Sequence, residues 1–186
     1  MIEVINQIVQ KLTEEEALIV EKYFTRKVIP KGDLWIREGQ YCNQIAFIEE
    51  GTFRIFYNDH NGQEISCFFM QEKNFISSFT SFLTQTPTKE NIEALTEVTI
   101  LFINRQNLEK LTEEVPKMQL LRRVLAENLF ILLERRISIL QSQTAQERYE
   151  TMIQENADIL LKIPLQYTAS FLGITPQHLS RLRKKK

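Results

Sequence analysis

Residues 165–186 read LQYTASFLGITPQHLSRLRKKK, and the break in the middle of this stretch decides how the rest of the chain is understood. Gly173 allows the left-handed backbone of a tight turn, Thr175 is a good N-cap, and Pro176 stands at the first helical position, where its missing N–H is harmless. Ala169, Leu172, Ile174, Leu179 and Leu182 face inward if 165–172 and 176–185 are two helices crossing at a sharp angle. Ala169 is small where the two must approach closely. The spacing predicts a helix-turn-helix, a unit whose second helix lies in the major groove of DNA.

Once the inward residues are set aside, the second helix has the side chains that such a task needs. Arg donates two hydrogen bonds to guanine, Gln pairs with adenine, and Ser and Lys hold phosphates. DNA contacts are expected from Thr175, Pro176, Gln177, His178, Ser180, Arg181, Arg183, Lys184 and Lys185. Charge agrees: residues 163–186 hold no Asp or Glu and carry +5 in a chain of net charge −1, which leaves −6 on residues 1–162.

One such helix covers only a few base pairs, so proteins of this type bind as dimers, with paired helices about 34 Å apart on a palindromic site. The pairing element is sought in the longest helical pattern, from Pro116 to about Gln141. There Met118, Leu125, Leu132 and Ile139 recur at intervals of seven, and with Leu121 they are the expected dimer interface. Leu129, Leu133, Ile137 and Leu140 widen the stripe, so that one side packs on the preceding domain and another on a second copy. Asn128 and Arg135 argue against a long regular coiled coil. Thr144 and Glu147 then form a capping box that starts a new helix, which makes residues 141–144 the expected hinge.

The part before Pro116 has a different grammar. Two helices open it, the second through a capping box of Thr13 and Glu16. Between about residues 26 and 104 the periodicity shortens to that of strands. In TFRIFYNDHNGQEISCFF, Phe53, Ile55 and Tyr57 alternate with other residues, Asn61-Gly62 makes a turn, and Ile65, Cys67 and Phe69 resume the alternation, which predicts a hairpin. Gly32, Gly39, Gly51 and Gly62 punctuate about eight short strands, a pattern of small barrels and sandwiches.

Other classes fit poorly. The first twelve residues have no export-signal pattern, and the apolar stretch 120–140 is interrupted by arginine pairs, short of the ~20 apolar residues of a membrane span. No membrane association and a cytoplasmic location are expected. Cys42, Cys67, His60 and His178 are too scattered for a zinc or iron-sulfur site, so no metal and no cofactor is expected. There is no G-x-S-x-G elbow, P-loop, dinucleotide fingerprint or H-E-x-x-H, and no enzyme activity is expected.

A helical lead, a glycine-punctuated β-roll, a long helix and a terminal helix-turn-helix, in that order, resemble the Crp/Fnr family of bacterial transcription regulators. The most specific residues are Ala169, Leu172, Gly173, Ile174, Leu179, Ser180, Arg181 and Arg183, supported by Ala145, Glu147, Arg148 and Tyr149 and by Gly39 and Gly51. The resemblance implies an α+β chain in three parts: residues 1–115, a cyclic-nucleotide-binding-like β-roll sensor (a double-stranded β-helix) with its N-terminal helices; 116–143, the dimerisation helix and hinge; and 144–186, the helix-turn-helix domain. It further implies a homodimer on double-stranded DNA, RNA polymerase as a partner, a small-molecule effector, and Gln177 and Arg181 as base readers. In the cyclic-AMP-binding members a Gly-Glu pair holds the ribose and an Arg-Ser pair the cyclic phosphate; these fall here on Ser77-Ser78 and Thr88-Lys89. The four are the candidate effector residues, and loss of cyclic-AMP binding is expected because carboxylate and guanidinium are both replaced. The chain ends right after the reading helix, so a truncated or absent wing is expected. The alternative is a ligand-binding adaptor that regulates a partner protein without touching DNA.

Overall fold

The structure is a computed structural model that describes residues 1–184, with the backbone alone for residues 156–162; the candidate Lys185 lies outside the described residues. The chain divides into two compact units, Met1–Ile55 with Phe69–Asn128, and Phe56–Phe68 with the chain from Leu129 onward.

The first unit begins with α1 (Ile2–Ile8) and α2 (Glu14–Tyr23). The predicted capping box opens α2: Glu16 N–H donates to Thr13 Oγ1 at 3.1 Å, and Thr13 N–H to Glu16 Oε2 at 2.7 Å. Strands β1 (Thr25–Ile29), β2 (Leu34–Ile36), β3 (Gln44–Glu50), β4 (Thr52–Asn58), β5 (Glu64–Gln71), β6 (Phe75–Ile76), β7 (Asn91–Ala94) and β8 (Val98–Asn104) follow, with the short α3 (Phe79–Thr84) between β6 and β7. They form two four-stranded sheets, ordered β1-β8-β3-β6 and β2-β7-β4-β5. In the first, β8 is paired antiparallel to both β1 and β3, Ile100 lying opposite Lys27 on one side and Ile48 on the other. This is the β-roll expected from the sequence, in an α+β chain.

Why the strands turn where they do is visible at Gly51. Its φ is +98°, and a Cβ there would come 2.5 Å from the Glu97 carbonyl, so no other residue can join β3 to β4. Phe47, Ile48, Phe53, Ile92, Val98 and Ile100 are all essentially without solvent exposure. Burying each such side chain contributes about 1.5–3 kcal/mol. The α4 helix (Arg105–Glu114) adds Leu111, and α5 (Lys117–Ser142) adds Met118 and Leu121 to the same interior. The start of α5 is fixed by Lys117 Nζ, which donates to Glu16 Oε2 at 2.7 Å and to the Lys11 carbonyl at 3.0 Å. Lys117 is accordingly the main reason that the Glu16 carboxyl sits below its ordinary pKa.

In the second unit, residues 56–68 are the tip of the β4–β5 hairpin. Asp59 Oδ1 accepts from the N–H groups of Asn61 and Gln63, both at 2.8 Å, and of the five residues that join the strands, Asp59 to Gln63, only Gly62 is left-handed, with φ +76°. The helices α6 (Ala145–Lys162), α7 (Leu165–Leu172) and α8 (Pro176–Lys184) follow α5. At Thr144 the second capping box is formed, with Thr144 N–H donating to Glu147 Oε2 at 2.7 Å and Glu147 N–H to Thr144 Oγ1 at 3.3 Å.

Candidate nucleic-acid interface and roll site

The turn between α7 and α8 follows from its residues. Gly173 is left-handed, with φ +67°, and Ile174 N–H reaches back to the Ala169 carbonyl at 3.0 Å, which closes the end of α7. Thr175 caps the next helix by accepting from His178 N–H at 3.2 Å. Ala169, Leu172, Leu179 and Leu182 are buried between the helices, while Ile174 is half-buried. Thr168 is also buried, and its hydroxyl leans 3.4 Å from the Pro164 carbonyl.

With Leu179 and Leu182 turned inward, the opposite face of α8 carries Gln177, Arg181 and Lys184, all exposed, at spacings of four and three that align them along one helical face. Thr175, Pro176 and Arg183 are exposed beside them, and His178 and Ser180 are half-buried. From Ile163 to Lys184 there is no acidic residue.

The long helix distributes its apolar residues over two faces. Met118 and Leu121 are buried in the first unit, Leu125 and Ile139 are half-buried, and Leu132 is 39% exposed. Phe130, Ile131 and Ile137 stand freest, at 69%, 57% and 55% exposure, and among the exposed apolar residues Phe130, Leu133, Ile137 and Leu140 share one helical face. Their spacing of three, four and three is that of a helix-pairing seam, and at 100° per residue it lies about a third of a turn round from the Met118 to Ile139 stripe. From the sequence, Leu133, Ile137 and Leu140 read as a widening of the stripe, and Phe130 was not singled out.

In the roll, the counted effector positions come together in part. Ser77, Ser78 and Thr88 are buried; Lys89 is exposed. Ser78 Oγ donates to Glu90 Oε2 at 2.6 Å and lies 2.7 Å from Thr88 Oγ1, which accepts from Glu90 N–H at 2.9 Å. Because the one proton of Ser78 goes to the carboxylate, Thr88 must be the donor of the pair, and the ring of bonds closes on itself. Ser77 Oγ donates to the Gln44 carbonyl at 2.8 Å. Glu90 was not singled out from the sequence; only its place two residues after Thr88 could have suggested it. Arg54 on β4 was missed as well. It is fully buried, with Nη1 donating to Glu93 Oε2 at 3.2 Å. Among the described residues no group of His, Cys, Asp and Glu could hold a metal ion, and no helix is long and apolar enough to cross a membrane.

A family model described as the cyclic nucleotide-binding domain matches residues 26–115, which are the roll and α4. Similar solved structures extend over the whole chain. The c-di-GMP-responsive global regulator CLP of Xanthomonas campestris superimposes with a TM-score of 0.76 at 14% identity, covering 93% of this chain and 91% of its own. The fold is that of the Crp/Fnr regulators. A CooA variant from Carboxydothermus hydrogenoformans gives 0.73 at 20% identity, over 95% of this chain and 85% of that one. FixK2 from Bradyrhizobium japonicum gives 0.72 at 18%, over 87% and 83%. No curated protein matches in sequence. In this Crp/Fnr fold the stretch that was read first, residues 165–184, is the terminal helix pair.

Proposed function

We propose that the chain is a homodimeric, sequence-specific DNA-binding transcription regulator whose β-roll has lost the means to hold cyclic AMP. The observation that carries this is the face of α8: Gln177, Arg181 and Lys184 exposed in a row, on a helix fixed from behind by Leu179 and Leu182, with no carboxylate in the surrounding segment. Gln177 and Arg181 are the base readers; Thr175, Ser180, Arg183, Lys184 and Lys185 hold phosphates, with Pro176 and His178 alongside.

Two reading helices need a fixed separation, and the seam of Phe130, Leu133, Ile137 and Leu140 supports pairing with a second copy. Four exposed apolar side chains on one helical face suit a self-complementary contact. Leu125, Leu132 and Ile139 flank it, while Met118 and Leu121, also expected at the interface, are buried within the first unit.

For the roll, the Ser78–Thr88–Glu90 ring is what supports loss of the cyclic phosphate. The hydroxyls already serve one another, and a carboxylate occupies the neighbourhood where relatives place an arginine. Two like charges about 4 Å apart repel by about 1 kcal/mol in water and about 4 kcal/mol near a protein surface. A neutral or cationic effector meets no such barrier. By differential affinity for two arrangements, it would shift the population that reads DNA.

Mobility shift of random duplexes across a salt series tests the reading. Retardation that weakens steeply with salt is expected, because phosphate contacts release counterions. A protein adaptor would leave every duplex unshifted at low ionic strength.

A further inference from the structure

The C-terminal end of α7 is bonded within the second unit to β5 through its own Ser170, and to α5 and α6 through one arginine from each. Ser170 Oγ accepts from Ser66 N–H at 2.9 Å and donates to the Glu64 carbonyl at 3.0 Å. Those two backbone groups belong to β5, the last strand of its sheet, so one hydroxyl stands where a neighbouring strand would bond. Arg136 of α5 places its guanidinium carbon 3.9 Å from the Phe171 ring centroid and donates through Nη2 to the Phe171 carbonyl. Arg148 of α6 donates through Nε to the Leu172 carbonyl at 2.9 Å and through Nη1 to the Gln143 carbonyl at 2.6 Å.

Each contact departs from what a helix of this length needs for itself. The last carbonyls of a helix are ordinarily left to water, yet here two arginines reach them from other helices, where positive charge also suits the helix dipole. A mid-helix serine usually bonds back to the carbonyl one turn earlier; Ser170 bonds outward. Burial, chiefly, and the neighbouring Arg148 lower the pKa of Arg136, a sign that its place is costly for a cation. None of these groups lies on the face of Gln177, Arg181 and Lys184. The contacts therefore orient the helix pair and leave its reading face open.

We propose that Ser170, Arg136 and Arg148 are positioning residues for the reading helix, and that β5, at Glu64 and Ser66, sets its orientation through the Ser170 hydroxyl. The proposal rests on the DNA reading above. It assigns the hairpin tip a role: a displacement of β5 at Glu64 to Ser66 is handed to α7 through the Ser170 hydroxyl.

The test uses the full chain, a duplex that the parent enriches from a random library, and a scrambled duplex of equal length. Ser170→Ala is expected to lower the ratio of selected to scrambled affinity by about three- to tenfold, the scale of one or two hydrogen bonds. It should leave scrambled-duplex affinity and the thermal midpoint near the parent's, and speed amide exchange at Ser66. Ser170→Thr, which keeps the hydroxyl, should restore the ratio. Arg136→Met, which keeps a stem over Phe171 without the donor, carries the same expectation should Ser170→Ala not fold. Parental discrimination in both variants, or selected and scrambled affinities that fall together, overturns the positioning role alone. A parent that shifts no duplex overturns the DNA reading and this proposal with it.

Discussion

The buried polar cluster of the roll and the exposed polar face of α8 use similar residues to opposite ends. In the roll, Ser78, Thr88 and Glu90 bond one another in a closed ring. On α8, Gln177, Arg181 and Lys184 stand in water in a row. A polar group that is satisfied within the protein has little to offer a ligand, whereas one that a rigid helix holds out to solvent can exchange water for a partner at small cost. The proposed function rests on this contrast, with the reading face at the C-terminal end of the chain and the closed ring in the roll.

The strongest way to break the contrast is to remove the geometry that makes the exposed face useful. Phe130→Glu with Ile137→Glu puts unpaired charges into the proposed seam, at about 3–5 kcal/mol for a buried unpaired charge. Sedimentation should show a monomer, and operator affinity should fall by more than about a hundredfold, as that energy implies. A dimer that persists would move the interface elsewhere on the molecule.

Next in size is Arg181→Ala, which should cost about 1–3 kcal/mol and relax specificity at one base position while other positions keep theirs. Competition with single-base operator variants reads it out. Uniform weakening on all duplexes would reassign Arg181 from bases to phosphates.

Smaller again is the cap that starts α6. Thr144→Ala should lower stability by about 0.5–2 kcal/mol in denaturant titrations. The pH dependence carries the same information. The backbone N–H of Thr144, first, holds the Glu147 carboxyl below its ordinary 4.5. Its stabilising effect is therefore complete above 4.5 and disappears as pH falls through the lower folded value. Thr144→Ala keeps that N–H and should retain most of this acid sensitivity, whereas Glu147→Gln should lose it. At the bottom of the scale, millimolar cyclic AMP should leave the thermal midpoint of the parent unchanged, whereas a ligand at a hundred times its Kd would add about 2.7 kcal/mol. An upward shift would show that the ring around Ser78 opens, and would remove one side of the contrast.

Much of this was written in short-range chemistry. The two capping boxes, the Gly173 turn and the α7–α8 core depend on residues within a turn or two of each other, and the sequence carries them completely. The eight strands were legible as alternation, but their order in two sheets was not, because pairing joins residues such as Lys27 and Ile100 that are far apart in the chain. The same limit hid Arg54, whose burial beside Glu93 depends on β4 and β7 lying next to one another. On α5 the heptad could be counted, yet an apolar residue at a given phase serves a core or a partner equally well. Only the folded chain separates Met118 from Phe130. The contacts of Arg136 and Arg148 were hidden for a related reason: their partners are backbone carbonyls, which no sequence pattern marks.

The most direct test of the central claim is the sequence pattern among duplexes that the purified chain retains from a random library. Two inverted half-sites centred about one helical turn, 10–10.5 base pairs, apart are what two copies of α8 require. Retained duplexes with no shared pattern, or with a single unpaired half-site, would contradict a dimer that reads DNA through this helix.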